Sequence, residues 1–299
     1  MINTIKESLS FAEEVNNKAG QYVNVLLIVD PSSEEPSVLR LSKFFESDSE
    51  LSTVDVKSLA DVLPQNLDRY DLCFLLQGRD PQAKALQKQI VDEGLACLLI
   101  TDIPSSYPAA KEITDHIMYN EQQIARWALD SCKAKRTSLA CCFKPIRDEY
   151  CRQIIEATTI ENSALGIVKL FGAANMPVMT LNELKMVFKI AACYGRRINV
   201  ERLAEASVTV ASAYASRGLA RAVPLKPKLL KRVRNASIAA STTYSLGRAL
   251  IVYFASSLVD NVEYEILNTV NCVSTKGKKA LETINEKLPI NLPIDKFIN

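Results

Sequence analysis

The stretch Tyr22–Asp30, YVNVLLIVD, decides the fold of the first part of the chain. It is apolar at almost every position, which is typical of a strand buried on both faces of a sheet. Similar runs follow at Asp71–Gln77 (DLCFLLQ) and Leu95–Asp102 (LACLLITD). A weaker, half-exposed strand is predicted at Leu51–Val56 (LSTVDV) and a short fifth one at His116–Tyr119 (HIMY).

Helical stretches separate these strands. They are predicted near Ser37–Glu46, Pro81–Glu93 and Glu121–Lys135. The second follows Asp80, an N-cap residue before a proline at the first helical position. The third follows Asn120, which forms a capping box with Gln123. Apolar strands that alternate with helices predict an α/β domain, with a mostly parallel sheet covered by helices on both faces.

The strand signals stop after about Arg136, and the rest of the chain is predicted to be all-α. Thr180 and Glu183 form a T-x-x-E pattern that predicts the start of a helix, and Gly195 is the expected C′ residue at its end. Further helices are predicted near residues 200–223, 233–259, 261–272 and 276–287. The predicted organisation is an N-terminal helix (1–20), an α/β domain (21–138) and a helical domain with a C-terminal tail (139–299).

The composition excludes several classes of function. The net charge of +2 gives no general attraction to nucleic acid, and a single histidine excludes every mechanism that needs two. The eight cysteines include the group Cys141, Cys142 and Cys151, which lacks zinc-like spacing and a nearby histidine. The N-terminus lacks the pattern of a signal peptide, so we expect free thiols and a cytoplasmic location. We also expect no bound metal and no cofactor.

The loop after the first predicted strand is where a phosphate site would lie in such a sheet. Against the pattern G-x-x-x-x-G-K-[ST], Asp30 and Glu35 replace the glycines, Pro36 replaces the lysine, and only Ser37 fits. Pro36 removes a charge and an N–H donor, and Asp30, Glu34 and Glu35 bring three negative charges. We expect this loop to repel a triphosphate.

The spacing of the later segments resembles that of an Era-like GTPase domain. Val54–Ser58 lies where a D-x-x-G motif would follow the next strand. Thr101 fits the base-reading motif [NT]-K-x-D, but Asp102 replaces its lysine and Pro104 its aspartate. The resemblance therefore implies a pseudo-GTPase domain that binds no nucleotide. A doubly wound sheet that never bound GTP, such as a response-regulator receiver without its phosphoacceptor aspartate, is the alternative.

The helical half resembles the YcjF-like domain of unknown function that accompanies some Era-like GTPases. The resemblance covers about residues 163–257 and is carried by Asn175–Gly195, Arg202–Ala222 and Ser237–Phe254. Its most specific part is Ile190-Ala191-Ala192-Cys193-Tyr194-Gly195, similar to I-A-x-x-Y-G. The family has no established reaction, so no catalytic residue is implied. Its members are often associated with the bacterial inner membrane.

A cluster of cations precedes the most apolar predicted helix, and these side chains suit an anionic membrane surface or a protein partner. Arg234 and Arg248 interrupt the helix, so spanning, peripheral and soluble states all remain open. The clustered cations are Lys226, Lys228, Lys231, Arg232 and Arg234.

The function expected from the sequence is that of a non-catalytic scaffold or interaction protein, with a protein partner or a second copy of itself and no nucleic acid. Association with the cytoplasmic face of the inner membrane is the alternative to a free cytoplasmic location. A residual nucleotide-binding enzyme and an integral membrane protein with a helical hairpin are the alternatives.

Overall fold

The computed structural model describes residues 2–47, 49–61, 64–101, 116–118, 120–167, 175–196 and 228–256. The helices are α1 (Ile2–Ala19), α2 (Glu35–Phe44), α3 (Gln82–Asp92), α4 (Glu121–Ser131), α5 (Arg136–Cys142), α6 (Lys144–Ile167), α7 (Asn175–Cys193) and α8 (Lys228–Ser256). The strands are β1 (Val23–Val29), β2 (Ser52–Ser58), β3 (Leu72–Gln77), β4 (Cys97–Thr101) and β5 (His116–Met118).

The described strands form one sheet of five strands in the order β2-β1-β3-β4-β5, and every neighbouring pair is parallel. All five were predicted from the sequence. This order is that of flavodoxin-like doubly wound sheets, whose topological switch point lies between β1 and β3. The α/β class is therefore confirmed, with a largely helical region after it.

Helices cover both faces of the sheet. Alternate strand residues point to opposite faces, so each strand contributes side chains to two cores. On one face Leu27, Phe74 and Leu98 pack in a core with residues of α2, α4 and α5. On the other face Leu26, Leu75 and Leu99 pack with α3 and with a short 3₁₀ helix at Leu67–Arg69. The continuous apolar runs of the strands follow from this double coverage.

The predicted helix start at Asn120 is confirmed, whereas the one at Asp80 is shifted by one residue, because α3 begins at Gln82 with Pro81 as its N-cap. The side chain of Asn120 accepts a hydrogen bond of 3.1 Å from the N–H of Gln123. The carboxylate of Asp80 accepts one of 2.8 Å from the N–H of Gln82. Each satisfies an N–H group in a first turn that has no partner within the helix.

The predicted capping box at Thr180 and Glu183 is wrong. Helix α7 begins at Asn175, so both residues lie in its interior. Glu183 is fully buried, and its Oε1 accepts a hydrogen bond of 2.8 Å from the hydroxyl of Thr243 on α8. The T-x-x-E pattern reflects a buried polar contact between helices.

The predicted end of this helix is confirmed. Gly195 has a φ of +66°, a conformation that favours glycine. Its N–H donates to the carbonyl of Ala192 (2.9 Å), and the N–H of Arg196 donates to that of Ala191 (3.0 Å). These two bonds define a Schellman motif, which closes the helix on its last carbonyl groups.

Helices α6 and α8 approach each other closely through small residues. A Cβ atom on Gly166 would lie 2.9 Å from the Cα of Ala236. One on Gly247 would lie 2.5 Å from Cγ1 of Ile155. No helix in the described part of the chain combines the length and apolar content that crossing a bilayer requires.

The described residues up to Leu250 form one compact unit. The predicted helices near residues 200–223, 261–272 and 276–287 and the C-terminal tail lie outside the described residues.

Candidate functional site

Asp30 is the centre of the most organised polar site at the carboxyl edge of the sheet. It follows β1 directly and is only 2% exposed. Oδ1 accepts hydrogen bonds from the N–H (2.8 Å) and hydroxyl (2.7 Å) of Ser32. Oδ2 accepts from the N–H groups of Gly78 and Asp80, each at 3.0 Å. One carboxylate thus joins the loops that follow β1 and β3.

The hydrogen bonds decide the charge state of this carboxylate. Burial by itself would raise the pKa of Asp30. The donors from Ser32, Asp80 and Gly78 outweigh burial and lower the pKa below its usual value. Asp30 is therefore an anion at neutral pH, held mainly by backbone N–H groups.

Gly78 allows the two loops to approach this closely. A Cβ atom at this position would lie 2.5 Å from the hydroxyl oxygen of Ser32 and 2.6 Å from the N of Ser33. The Ser32 hydroxyl also accepts a hydrogen bond of 2.8 Å from the N–H of Arg79. No side chain larger than hydrogen fits between the loops without moving them.

An open cleft of about 490 Å³ lies beside these loops. Asp30, Arg79 and Asp80 contribute its polar wall, and Pro31, Leu59 and Ala60 form a mainly apolar wall. The cleft lies outside the carboxyl ends of β1, β2 and β3, where doubly wound sheets usually bind ligands. Here the N–H groups of two lining residues, Ser32 and Asp80, already bind the carboxylate of Asp30.

The rest of the predicted phosphate loop forms the start of α2. Pro36 lies in the first turn, where its missing N–H is tolerated. The N–H groups of Ser37 and Val38 donate to the carbonyl of Glu34 at 3.0 and 3.2 Å. Ser37 is fully buried, and its hydroxyl accepts a hydrogen bond of 3.1 Å from Arg40. Ser37 therefore does not face the cleft, and Glu35 adds a negative charge to this helix start.

The remaining predicted site residues are not brought to this cleft in the described part of the chain. Thr101 ends β4, is buried, and is in register with Gln77 of β3. Asp102, Pro104 and Lys226 lie outside the described residues. The other predicted cations occupy the first two turns of α8; these are Lys228, Lys231, Arg232 and Arg234.

The thiols within the described residues are all free. Cys73 and Cys97 are in register on β3 and β4, and their mutual hydrogen bond and burial raise the pKa of Cys73. Burial and contact with Cys151 raise the pKa of Cys193. Protonated, buried thiols are weak nucleophiles. In the described ranges, no group of three histidine, cysteine, aspartate or glutamate residues is arranged to hold a metal ion.

A second charged cluster, which sequence reasoning missed, joins α4 to α6. Glu149 is 4% exposed and accepts hydrogen bonds from Arg126 (2.7 Å) and Arg152 (2.5 Å). Gln122 and Gln153 each donate to it at 3.1 Å. Burial would raise the pKa of Glu149, but these donors lower it. The cluster fixes two helices together and does not line the cleft.

A third polar cluster joins α6, α7 and α8 in the helical part. Asn162 is fully buried and donates a hydrogen bond of 3.0 Å to the hydroxyl of Thr243. Thr243 in turn donates to Glu183, and Asn182 donates to Asn162 at 3.2 Å. The sequence signal for this cluster was a polar residue at a core position of each helix. The pattern of a single helix does not show which residues of the other helices such a residue contacts.

No family model, no curated protein and no solved structure matches this chain.

Proposed function

We propose that this chain is a non-catalytic interaction protein. Its α/β part would serve as a platform for a protein partner, and its helical part would contact a partner or a membrane surface. The observation that carries this proposal is the hydrogen bonding of Asp30. Its carboxylate accepts hydrogen bonds from the backbone N–H groups at the switch point between β1 and β3. An anionic ligand would have to displace a buried anion of the protein.

The electrostatics of the cleft support the same proposal. Asp80 lines the cleft with Asp30, and Arg79 is the cation among its lining residues. Glu34 and Glu35 follow in the same loop and add two negative charges. A triphosphate brought to this edge would meet more negative than positive charge. Ser37, which a residual nucleotide-binding enzyme would need for a metal-bound phosphate, is buried against Arg40.

The origin of the domain is a separate part of the proposal. The spacing of its motifs favours a pseudo-GTPase, and its helical part favours a YcjF-like domain. The strand order is also that of receivers and other flavodoxin-like proteins, so the receiver-like alternative stays beside it. Both origins lead to the same proposed function. Compared with a GTPase or with a receiver, this chain lacks the residues that bind or receive phosphate.

The basic start of α8 supports a peripheral contact with the cytoplasmic face of an anionic membrane. Lys228, Lys231, Arg232 and Arg234 lie within two helical turns. Cations near an anionic leaflet contribute about 1 kcal/mol each to binding. Sedimentation with vesicles that contain phosphatidylserine tests this part: we expect salt-sensitive binding that the triple variant Lys228→Glu, Lys231→Glu, Arg232→Glu loses. Equal binding by that variant would contradict the contact.

Calorimetry with GTP, GDP and Mg²⁺ tests the main proposal. We expect no heat of binding for the full chain at millimolar nucleotide. A dissociation constant in the micromolar range or below would overturn the proposal and favour the residual enzyme. In that case Ser37→Ala should reduce turnover, with Ser33→Ala, a change in the same loop, as the matched control.

A further inference from the structure

Strand β2 forms one edge of the sheet, and its outer side carries backbone groups that no described strand pairs. The N–H of Val23 donates to the carbonyl of Leu51, and the N–H of Leu59 donates to that of Val29, both at 2.9 Å. These two bonds fix the phase of the parallel ladder. The peptide groups of the even-numbered residues therefore point away from β1: Ser52, Val54, Val56 and Ser58.

One of these outward groups is already satisfied and the side chain of another is exposed. The N–H of Ser58 donates to the carboxylate of Asp61 at 2.8 Å. Val56 is 62% exposed, a large apolar side chain in the middle of the edge. An edge strand with an exposed β-branched residue is a template for pairing with another strand.

The two charged side chains of β2 have complementary positions for pairing with a second copy. Asp55 is held through Oδ2 by Arg69 (2.5 Å) and the hydroxyl of Tyr70 (2.6 Å). Among the described residues, none donates a hydrogen bond to Oδ1 and none forms an ion pair with Lys57. The chain thus offers an acceptor and a donor two residues apart on the same face of the strand.

A twofold axis selects one antiparallel register from the alternatives. With Val56 opposite its own copy, Asp55 of each chain faces Lys57 of the other, in a pair where the Cβ atoms are about 5 Å apart. An axis at Asp55 or at Lys57 would place like charges opposite each other. An axis at Val54 would place Thr53 opposite Asp55 and leave Lys57 without an acceptor.

We propose that β2 pairs with β2 of a second copy of this chain, antiparallel and with Val56 on the twofold axis. The result is a continuous sheet of ten strands, stabilised by the main-chain hydrogen bonds that the two Val56 residues exchange, two Asp55–Lys57 ion pairs and contact between the two Val56 side chains. A lone lysine at a sheet edge ordinarily discourages pairing, but here an aspartate of the copy neutralises it. The proposal rests on the proposed interaction function and names one partner for it, a second copy of the chain.

Sedimentation velocity on the full chain tests the dimer. We expect a dimer for the wild type and a dissociation constant raised about tenfold or more by Val56→Lys, which places two cations on the axis. Val91→Lys is the matched control, because Val91 is an exposed valine (48%) on α3, and we expect its dimer to be unchanged. A monomeric wild type, or a dimer that Val56→Lys leaves intact, would overturn the proposal.

Cross-linking tests the register without weakening the dimer. Val56→Cys should form a disulfide between two chains on mild oxidation, since paired strands bring the two Cα atoms within the range of about 4.4–6.8 Å that a disulfide needs. Val91→Cys should not. Failure of Val56→Cys to cross-link a dimeric chain would overturn the register. These results are independent of nucleotide calorimetry, so failure of the dimer and failure of the non-catalytic assignment are distinguishable.

Discussion

The carboxylate of Asp30, at the end of β1, accepts a hydrogen bond of 3.0 Å from the backbone N–H of Gly78, at the end of β3. The two residues lie on adjacent strands at the switch point, where a phosphate or cofactor usually binds in such sheets. The carboxylate binds N–H groups of both loops and ties the two loops together.

Replacing Asp30 by alanine should destabilise the protein by about 1–3 kcal/mol, because it leaves the buried N–H of Gly78 and the more exposed N–H groups of Ser32 and Asp80 without their acceptor. Urea denaturation followed by circular dichroism measures the change. Glu34→Gln is the matched control, since Glu34 lies in the same loop and its side chain makes no capping hydrogen bond. We expect the control to change stability by less than about 0.5 kcal/mol.

The cavity left by Asp30→Ala should respond to added anions. If the carboxylate stands in for an anion, sodium formate should restore part of the lost stability of this variant and leave the wild type unchanged relative to sodium chloride. Denaturation curves at equal ionic strength measure the difference. Equal responses of the variant and the wild type would show that the N–H groups do not form an anion site.

Stability should fall on acidification, in part through Asp30. Its folded-state pKa lies below the ordinary value of 3.8, so the unfolded chain binds the proton first as the pH drops. The contribution is therefore complete above the unfolded pKa and is lost as the pH falls through the folded one. Urea denaturation at a series of pH values between 7 and 2 measures this. The free energy of unfolding should depend less on pH for Asp30→Asn than for the wild type.

Replacing Gly78 by alanine should destabilise the protein by about 1–3 kcal/mol, because the added Cβ meets Ser32 and the backbone of Ser33 and the loops must separate. Thermal denaturation measures this change. Gly20→Ala is the matched control: its Cβ would lie 3.6 Å from the nearest atom, an ordinary contact. An equal effect of both substitutions would contradict the close approach of the loops.

Removing the charge of Glu149 should destabilise the protein more than removing the charge of Glu156, its exposed neighbour. Glu149→Gln removes the charge that holds Arg126 and Arg152, and we expect a loss of about 1.5–3 kcal/mol. Glu156→Gln removes another carboxylate 2.5 Å from Arg152, but its side chain is 49% exposed. The loss there should stay below about 1 kcal/mol. Urea denaturation of both variants compares the two.

The local elements of this fold were predictable because their signals are contained in short segments. Tyr22–Asp30 contains enough consecutive apolar residues to indicate a strand buried on both faces, and Asn120 and Gly195 mark helix ends through bonds to residues close in the chain. Thr180 shows the limit of this reasoning. Its pattern with Glu183 is that of a helix start, but contacts with other helices place Glu183 in a buried interior.

The sequence by itself determined that the loop after β1 lacks the residues that bind a phosphate. Only the tertiary structure decided what the loop does instead, because the donors to Asp30 include Gly78 and Asp80, 48 and 50 residues further along the chain. The same holds for Glu149, whose arginine Arg126 belongs to another helix. Strand and helix signals are local and repeat along the chain, whereas a buried charge is satisfied by whichever donors the packing of distant segments brings to it.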